Sequence, residues 1–170
     1  MQPRTDKHIL GIDVSRYQAA IDWQKMRAAG VRFVWIKATE GVTYRDPMLE
    51  RHSAGARQAG MKIGFYHFAR IYNDPRREVE HLLDAVRHMP HELPYALDIE
   101  KHSEDFAKHR DKYNRPFITF FCRNWLEHFE RLTGETPIIY TNTAFAREYL
   151  DASFARWPVW IAHYGVKQPG

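Results

Sequence analysis

A single cysteine in 170 residues leaves Cys122 with no partner, so neither an internal disulfide framework nor a cysteine-based zinc site can be assembled. Cys122 sits in an apolar helical stretch and reads as packing. No apolar run approaches the roughly 18 residues that a membrane-inserted helix needs. The opening Met1-Gln2-Pro3-Arg4-Thr5-Asp6-Lys7 lacks the apolar centre of a secretory signal. Basic residues exceed acidic ones only by 25 to 21, for a net charge of +4, and no block of Lys or Arg occurs. So mild and dispersed a charge suits an anionic surface such as a bacterial envelope, but gives no nucleic-acid footprint. Low-complexity tracts are missing too. What remains, 44% hydrophobic and 14% aromatic, is enough to bury the core of one domain, and 1–170 is read as such.

Six short apolar runs punctuate the chain. They are Ile9-Leu10-Gly11-Ile12-Asp13-Val14, Phe33-Val34-Trp35-Ile36, Ile63-Gly64-Phe65-Tyr66-His67-Phe68, Tyr95-Ala96-Leu97-Asp98-Ile99-Glu100, Pro137-Ile138-Ile139-Tyr140-Thr141-Asn142 and Pro158-Val159-Trp160-Ile161-Ala162. Their length and their branched and aromatic content predict strands. Near-continuous apolarity predicts a parallel sheet covered on both faces.

Helix punctuation lies between the runs. Asp46-Pro47 and Asp74-Pro75 each set a capping carboxylate before a proline at the first helical position. Gly30, Gly60 and Gly134 stand where helices end. Val79, Leu82, Leu83 and Val86 share one helical face, as do Ile118, Phe121, Cys122, Trp125, Phe129 and Leu132. Ala29-Gly30-Val31-Arg32-Phe33 and Ala59-Gly60-Met61-Lys62-Ile63 repeat one junction, 30 residues apart, about one β-α unit. The class is therefore α/β, built from right-handed β-α-β units. Residues 101–115, polar and His-rich, are expected to form a loop.

Polar residues that interrupt the runs carry the chemistry. Asp13, Glu40, Asp98 and Glu100 fall at or near C-terminal strand ends, with Tyr66, Tyr140, Asn142, Trp160, His163 and Tyr164 at equivalent ends. Parallel β/α architectures gather those ends on one face and build sites there. Four carboxylates and a ring of aromatics are expected to share a mouth, with Glu40 and Asn142 counted among its substrate contacts. Asp98 and Glu100, one residue apart on a strand, project to the same side. Held together and buried, one of them keeps its proton at neutral pH, the pairing that glycoside hydrolysis uses. Two other readings stay open at this point: the pair as oxygen ligands for Mg²⁺ or Ca²⁺, and Glu40 as a simple partner of Lys37 or a turn cap. The histidines form no compact ligand set and read mostly as solvated surface. Trp125 and Phe129 read as core.

In order along the chain stand Gly11-Ile12-Asp13-Val14-Ser15 with Gln18, Ile21-Asp22-Trp23, Ile36-Lys37-Ala38-Thr39-Glu40-Gly41, Asp46-Pro47, Tyr66-His67-Phe68, Leu97-Asp98-Ile99-Glu100, Thr133-Gly134 with Pro137, Ile139-Tyr140-Thr141 and Trp160-Ile161-Ala162-His163-Tyr164-Gly165. This series resembles the glycoside hydrolase family 25 lysozymes, the Chalaropsis-type muramidases, from Ile9 to Gly165. The resemblance implies a modified, partly irregular TIM-like (β/α) barrel. It also implies cleavage of the β-1,4 bond between N-acetylmuramic acid and N-acetylglucosamine in peptidoglycan. Position by position it makes Glu100 the general acid, and Asp98 its companion, either nucleophile or stabiliser of a substrate-assisted intermediate. Asp13 becomes an acid lining the same cleft, and Tyr66, Tyr140, Trp160 and Tyr164 its aromatic walls. No metal or organic cofactor is implied, and the expected partner is the peptidoglycan glycan strand.

Family members continue past the Trp-Ile-Ala-x-Tyr-Gly strand with two further strands, a Trp-Gln-Tyr segment and a final Val-Asp, whereas this chain stops at Pro169-Gly170. The last barrel strands and a fourth cleft acid are thus expected to be absent, and an open barrel of this kind is expected to self-associate. A competing expectation is a glycan-binding remnant that holds peptidoglycan without cleaving it. The substrate places the protein outside the cell or at the wall, reached by endolysin-type release or by a signal not present in this sequence.

Overall fold

The computed structural model describes residues 7–164. Gly165 of the last motif, the first six residues and the chain end, on which several expectations rest, lie outside them.

Six parallel strands form one sheet in the order β1 (Leu10–Val14), β2 (Val31–Glu40), β4 (Lys62–Phe68), β5 (Ala96–Asp98), β6 (Ile138–Asn142) and β7 (Val159–Ala162). Each expected strand is present. The second run is much longer than its apolar core, because β2 carries on through Lys37 and Thr39 to Glu40. There it turns back into an unforeseen two-residue strand, β3 (Tyr44–Arg45), which pairs antiparallel with Thr39 and Glu40.

Register fixes which side chains face inward. Asp13 pairs with Trp35, and Trp35 with Gly64; Lys37 pairs with Tyr66, and Tyr66 with Ala96; Phe68 pairs with Asp98, Asp98 with Tyr140, and Tyr140 with Trp160. Strand side chains alternate, so the intervening Val34, Ile36, Ile63, Phe65, Leu97 and Ile139 point the other way, all fully buried on the helix-covered face. The sheet curls strongly. Trp160 on β7 meets Trp35 on β2, ring centroids 4.8 Å apart, although three strands separate β2 from β7 in the sheet. The result is a half-barrel with tryptophan at its centre. Gly64 makes room for it, since a Cβ there would lie 2.5 Å from Trp35 Nε1, which donates to Pro94 O at 2.9 Å.

Helices α1 (Trp23–Ala28), α2 (Leu49–Gln58), α3 (Pro75–Val86), α5 (Arg115–Thr133) and α6 (Thr143–Tyr149) join the strands. Asp74 caps α3 as expected, its carboxylate accepting from Arg76 N, with Pro75 at the first turn. Gly134 closes α5 at φ 73°. Four expectations need correction. Helix α2 starts only at Leu49, because Asp46 is used otherwise: its carboxylate accepts from Met48 N and, across the fold, from Arg16 N. Leu132, in the last turn of α5, is exposed. Residues 101–115 are not a loop but contain α4 (Ser103–Lys108) and a 3-10 turn, Arg110–Lys112. Phe106 packs edge-on to Tyr113 within the segment, and Asp105 receives Arg70 from far along the chain, contacts that polarity alone does not announce. His52, His67 and His128 are buried rather than solvated. Among the described residues no helix is long and apolar enough to cross a membrane.

Candidate active site

A cleft opens where the C-terminal ends of the strands converge. Asp98 is the last residue of β5 and Glu100 lies two residues beyond it, where the chain still follows β6: Ile99 N donates to Tyr140 O at 3.0 Å, and Thr141 Oγ1 donates back to Ile99 O at 2.7 Å. That clamp keeps both carboxyls on the cleft side, and both line it. Asp98 is buried and Glu100 half-buried. Among the described residues Asp98 Oδ1 has no hydrogen-bond partner.

Burial raises the Asp98 carboxyl well above the ordinary aspartate range, and the charge of Glu100 pushes the same way; Lys37 opposes them, and Asp13 adds a little more upward push. Burial and the neighbouring charge thus both favour the protonated form of Asp98. Asp13, from β1, is exposed at the open rim, yet the flanking walls remove enough water to raise its carboxyl too.

Aromatic side chains make the walls. Burial first, and then the charges of Asp98 and Asp13, push the Tyr66 hydroxyl far above its usual range. Tyr140 is pushed up by burial, by its hydrogen bond to Tyr164 and by the nearby charges of Glu100 and Asp98. Its hydroxyl lies 3.4 Å from that of Tyr164. Trp160 stands edge-on to Tyr140, centroids 4.7 Å apart, and Tyr164 is 86% exposed at the mouth. Two neutral phenols and a tryptophan beside the carboxyls offer flat apolar faces and hydroxyl donors, a lining suited to sugar rings.

Seven of the nine residues expected at the mouth are thus brought together: Asp13, Tyr66, Asp98, Glu100, Tyr140, Trp160 and Tyr164. Glu40 and Asn142 are placed elsewhere. Glu40 turns behind the cleft to Lys37 and Arg70, the simpler reading of its sequence position. Asn142 Oδ1 accepts from Phe145 N at 2.9 Å and caps α6. The sequence reading missed Ser15, Tyr17, Lys37 and Phe68, which also line the cleft. The signal was there in part: Lys37 and Phe68 share strand parity with Trp35 and Tyr66, and a lysine inside a buried run has to be explained. Among the described residues no group of three or more His, Cys, Asp or Glu side chains is gathered to hold a metal ion.

Comparison with known proteins agrees with this geometry. The family model described as "Glycosyl hydrolases family 25" matches residues 12–170. The autolytic lysozyme of Clostridium acetobutylicum is 33% identical over 159 residues, which cover 94% of this chain and 46% of that protein. The solved family 25 glycosyl hydrolase of Bacillus anthracis superimposes with a TM-score of 0.87 at 25% identity, covering 97% of this chain and 75% of that one. A bacterial lysozyme from Streptomyces coelicolor gives 0.86 at 27% identity, over 98% of this chain and 79% of that one. The chain spans about half the length of the curated relatives it matches.

Proposed function

The chain belongs to glycosyl hydrolase family 25, and we propose from that membership and from the cleft that it hydrolyses peptidoglycan at the β-1,4 bond between N-acetylmuramic acid and N-acetylglucosamine. The observation that carries this reading is the Asp98/Glu100 pair at the foot of an aromatic-walled cleft. Glycoside hydrolysis needs one protonated carboxyl for the leaving oxygen and one carboxylate for the developing positive centre.

Glu100 protonates the glycosidic oxygen. Asp98 supports the oxocarbenium-like transition state or its oxazolinium relative. Water then attacks with Glu100 acting as base, so that configuration is retained. The deeper Asp98 is the carboxyl that burial drives toward the protonated form. A bound glycan excludes water from the cleft and brings its scissile oxygen within reach of Glu100, the outer of the two carboxyls. Asp13 adds negative charge at the rim, and Tyr66, Tyr140, Trp160 and Tyr164 hold the sugar rings. No cofactor enters this scheme. The wall is the site of action, in keeping with the autolytic lysozyme among the relatives, and the enzyme reaches it by secretion or by release from a lysed cell. Release of new reducing ends from purified cell walls tests the reading: none from walls exposed to the protein means that the cleft binds without cutting.

A further inference from the structure

Behind the cleft, four charged side chains form one unbroken series. Lys37 Nζ donates to Glu40 Oε2 at 2.5 Å. Glu40 Oε1 accepts from Arg70 Nε at 2.9 Å and also from Arg70 Nη2. Arg70 Nη1 donates to Asp105 Oδ2 on α4 at 2.5 Å. The signs alternate along the series, and no member's side chain is more than 20% exposed. Charges so sheltered depend on one another, because removing one leaves its neighbour buried and unpaired. Phe68 and Tyr44 flank the Lys37 ammonium, 4.9 Å and 5.5 Å from their ring centroids, and add cation–π attraction.

Lys37 alone of this series also lines the cleft. The cleft holds three carboxyls, Asp13, Asp98 and Glu100, and among the described residues Lys37 is the one cation in its lining. The other titratable groups in the lining are Tyr17 beyond β1, Tyr66 from β4, Tyr140 from β6 and Tyr164 beyond β7. Tyr66 and Tyr140 are held neutral by burial.

We infer that Lys37 is a positioning residue for the carboxyl pair: its ammonium lets one of Asp98 and Glu100 ionise while the other keeps a proton, and Glu40, gripped by Arg70 and Asp105, fixes where that ammonium sits and how much of its charge reaches them. The relevance to catalysis rests on the hydrolase reading above. The charge arrangement itself does not. Glu40, expected at the sugars, works instead from behind, and α4, which follows Glu100 in sequence, is docked by the far end of the same series. The Lys37 charge counteracts the burial that pushes Asp98 upward. The carboxyl of Glu40 is desolvated, yet the donors on Lys37 and Arg70 prevail and hold it below the usual range.

The test separates charge from mere support. Carboxyl ¹³C NMR titration of the full chain, with Asp and Glu side chains labelled, follows Asp98 and Glu100 in wild type, Lys37→Met and Glu40→Gln. Removing the cation moves the first ionisation of the pair up by about one unit, on the scale usual for a neighbouring charge. Removing the Glu40 charge frees the ammonium toward the pair and moves the same ionisation down. The two substitutions therefore act in opposite directions, which a purely structural role cannot produce. Glu40→Gln keeps shape and a hydrogen-bond acceptor, so the test survives if Lys37→Met fails to fold. Lys37→Arg keeps the charge and should titrate as wild type. Unmoved titrations, or shifts of the same sign in both variants, overturn the inference. Shifts of the expected signs in a protein that leaves cell walls intact overturn the hydrolase reading alone.

Discussion

His67 on β4 and Glu78 on α3 face each other with Nε2 and Oε2 3.0 Å apart, and neither side chain meets solvent. The rest of the imidazole is engaged as well: Nδ1 lies 2.8 Å from Thr39 Oγ1, and the ring stacks on Trp125. Glu78 Oε1 accepts from Arg70 N and Asn73 Nδ2. An Nε2–H of the ring faces the carboxylate, and Nδ1 shares a hydrogen bond with the Thr39 hydroxyl. One carboxylate thus ties α3 to the strand end that carries Tyr66 and to the backbone of Arg70.

Glu78→Ala should lower unfolding free energy by roughly 3 kcal/mol or more, since it strands a buried N–H on His67 and two further donors. Urea unfolding followed by tryptophan fluorescence reads this directly. A change below about 1 kcal/mol, the worth of one ordinary hydrogen bond, would show that water replaces the carboxylate at little cost.

Gly64→Ala forces a methyl to 2.5 Å from Trp35 Nε1 and 2.9 Å from Leu93 Cβ. The expected cost is about 1–3 kcal/mol, as for other overpacked cores, with lower activity because Trp35 supports Trp160. Thermal melting together with a wall-hydrolysis rate checks both. Wild-type stability would mean that the tryptophan pair shifts freely.

Asp98→Asn should stabilise the fold at neutral pH while lowering the rate. Asp98 binds its proton more tightly folded than unfolded, so its contribution is intact below the unfolded value and is lost as pH rises through the folded one. The amide escapes that loss. The melting-temperature difference between variant and wild type should therefore grow from pH 4 to pH 8. With the neighbouring charge gone, the alkaline limb of the remaining activity should move to lower pH. A constant melting difference, or a limb moving upward, contradicts the coupled pair.

Hydrolysis should be indifferent to chelation, because the scheme uses only carboxyls and water. Dialysis against EDTA is expected to leave the rate unchanged. Activity lost there and regained with Mg²⁺ or Ca²⁺ would make Asp98 and Glu100 metal ligands.

Much of the site is legible from strand parity. Residues two apart share a face, which joins Asp98 to Glu100 and sets Tyr66, Tyr140 and Trp160 on the inner wall once the strands are parallel. Asp74-Pro75 and Gly134 mark helix ends because their preferences are local. What escapes is decided at long range. Asn142 looks like a cleft residue until α6 begins immediately after it and takes its side chain as a cap. Helix α4 hides in a polar stretch because Arg70, more than thirty residues earlier, anchors it. His67 is a conventional surface type buried by a partner on another element, Glu78, and Arg70 reaches Glu40 from beyond the end of β4; no periodicity within one segment reveals such pairing.

The most direct measurement compares wild type with Glu100→Gln on a cell-wall suspension, following turbidity and reducing ends together, with wall binding assayed by co-sedimentation. The amide keeps the shape but cannot protonate the leaving oxygen, so hydrolysis should fall by about 10²–10⁴-fold while wall binding and melting temperature hold. Undiminished release of reducing ends by Glu100→Gln would contradict the assignment of the acid and, with it, the account of the cleft.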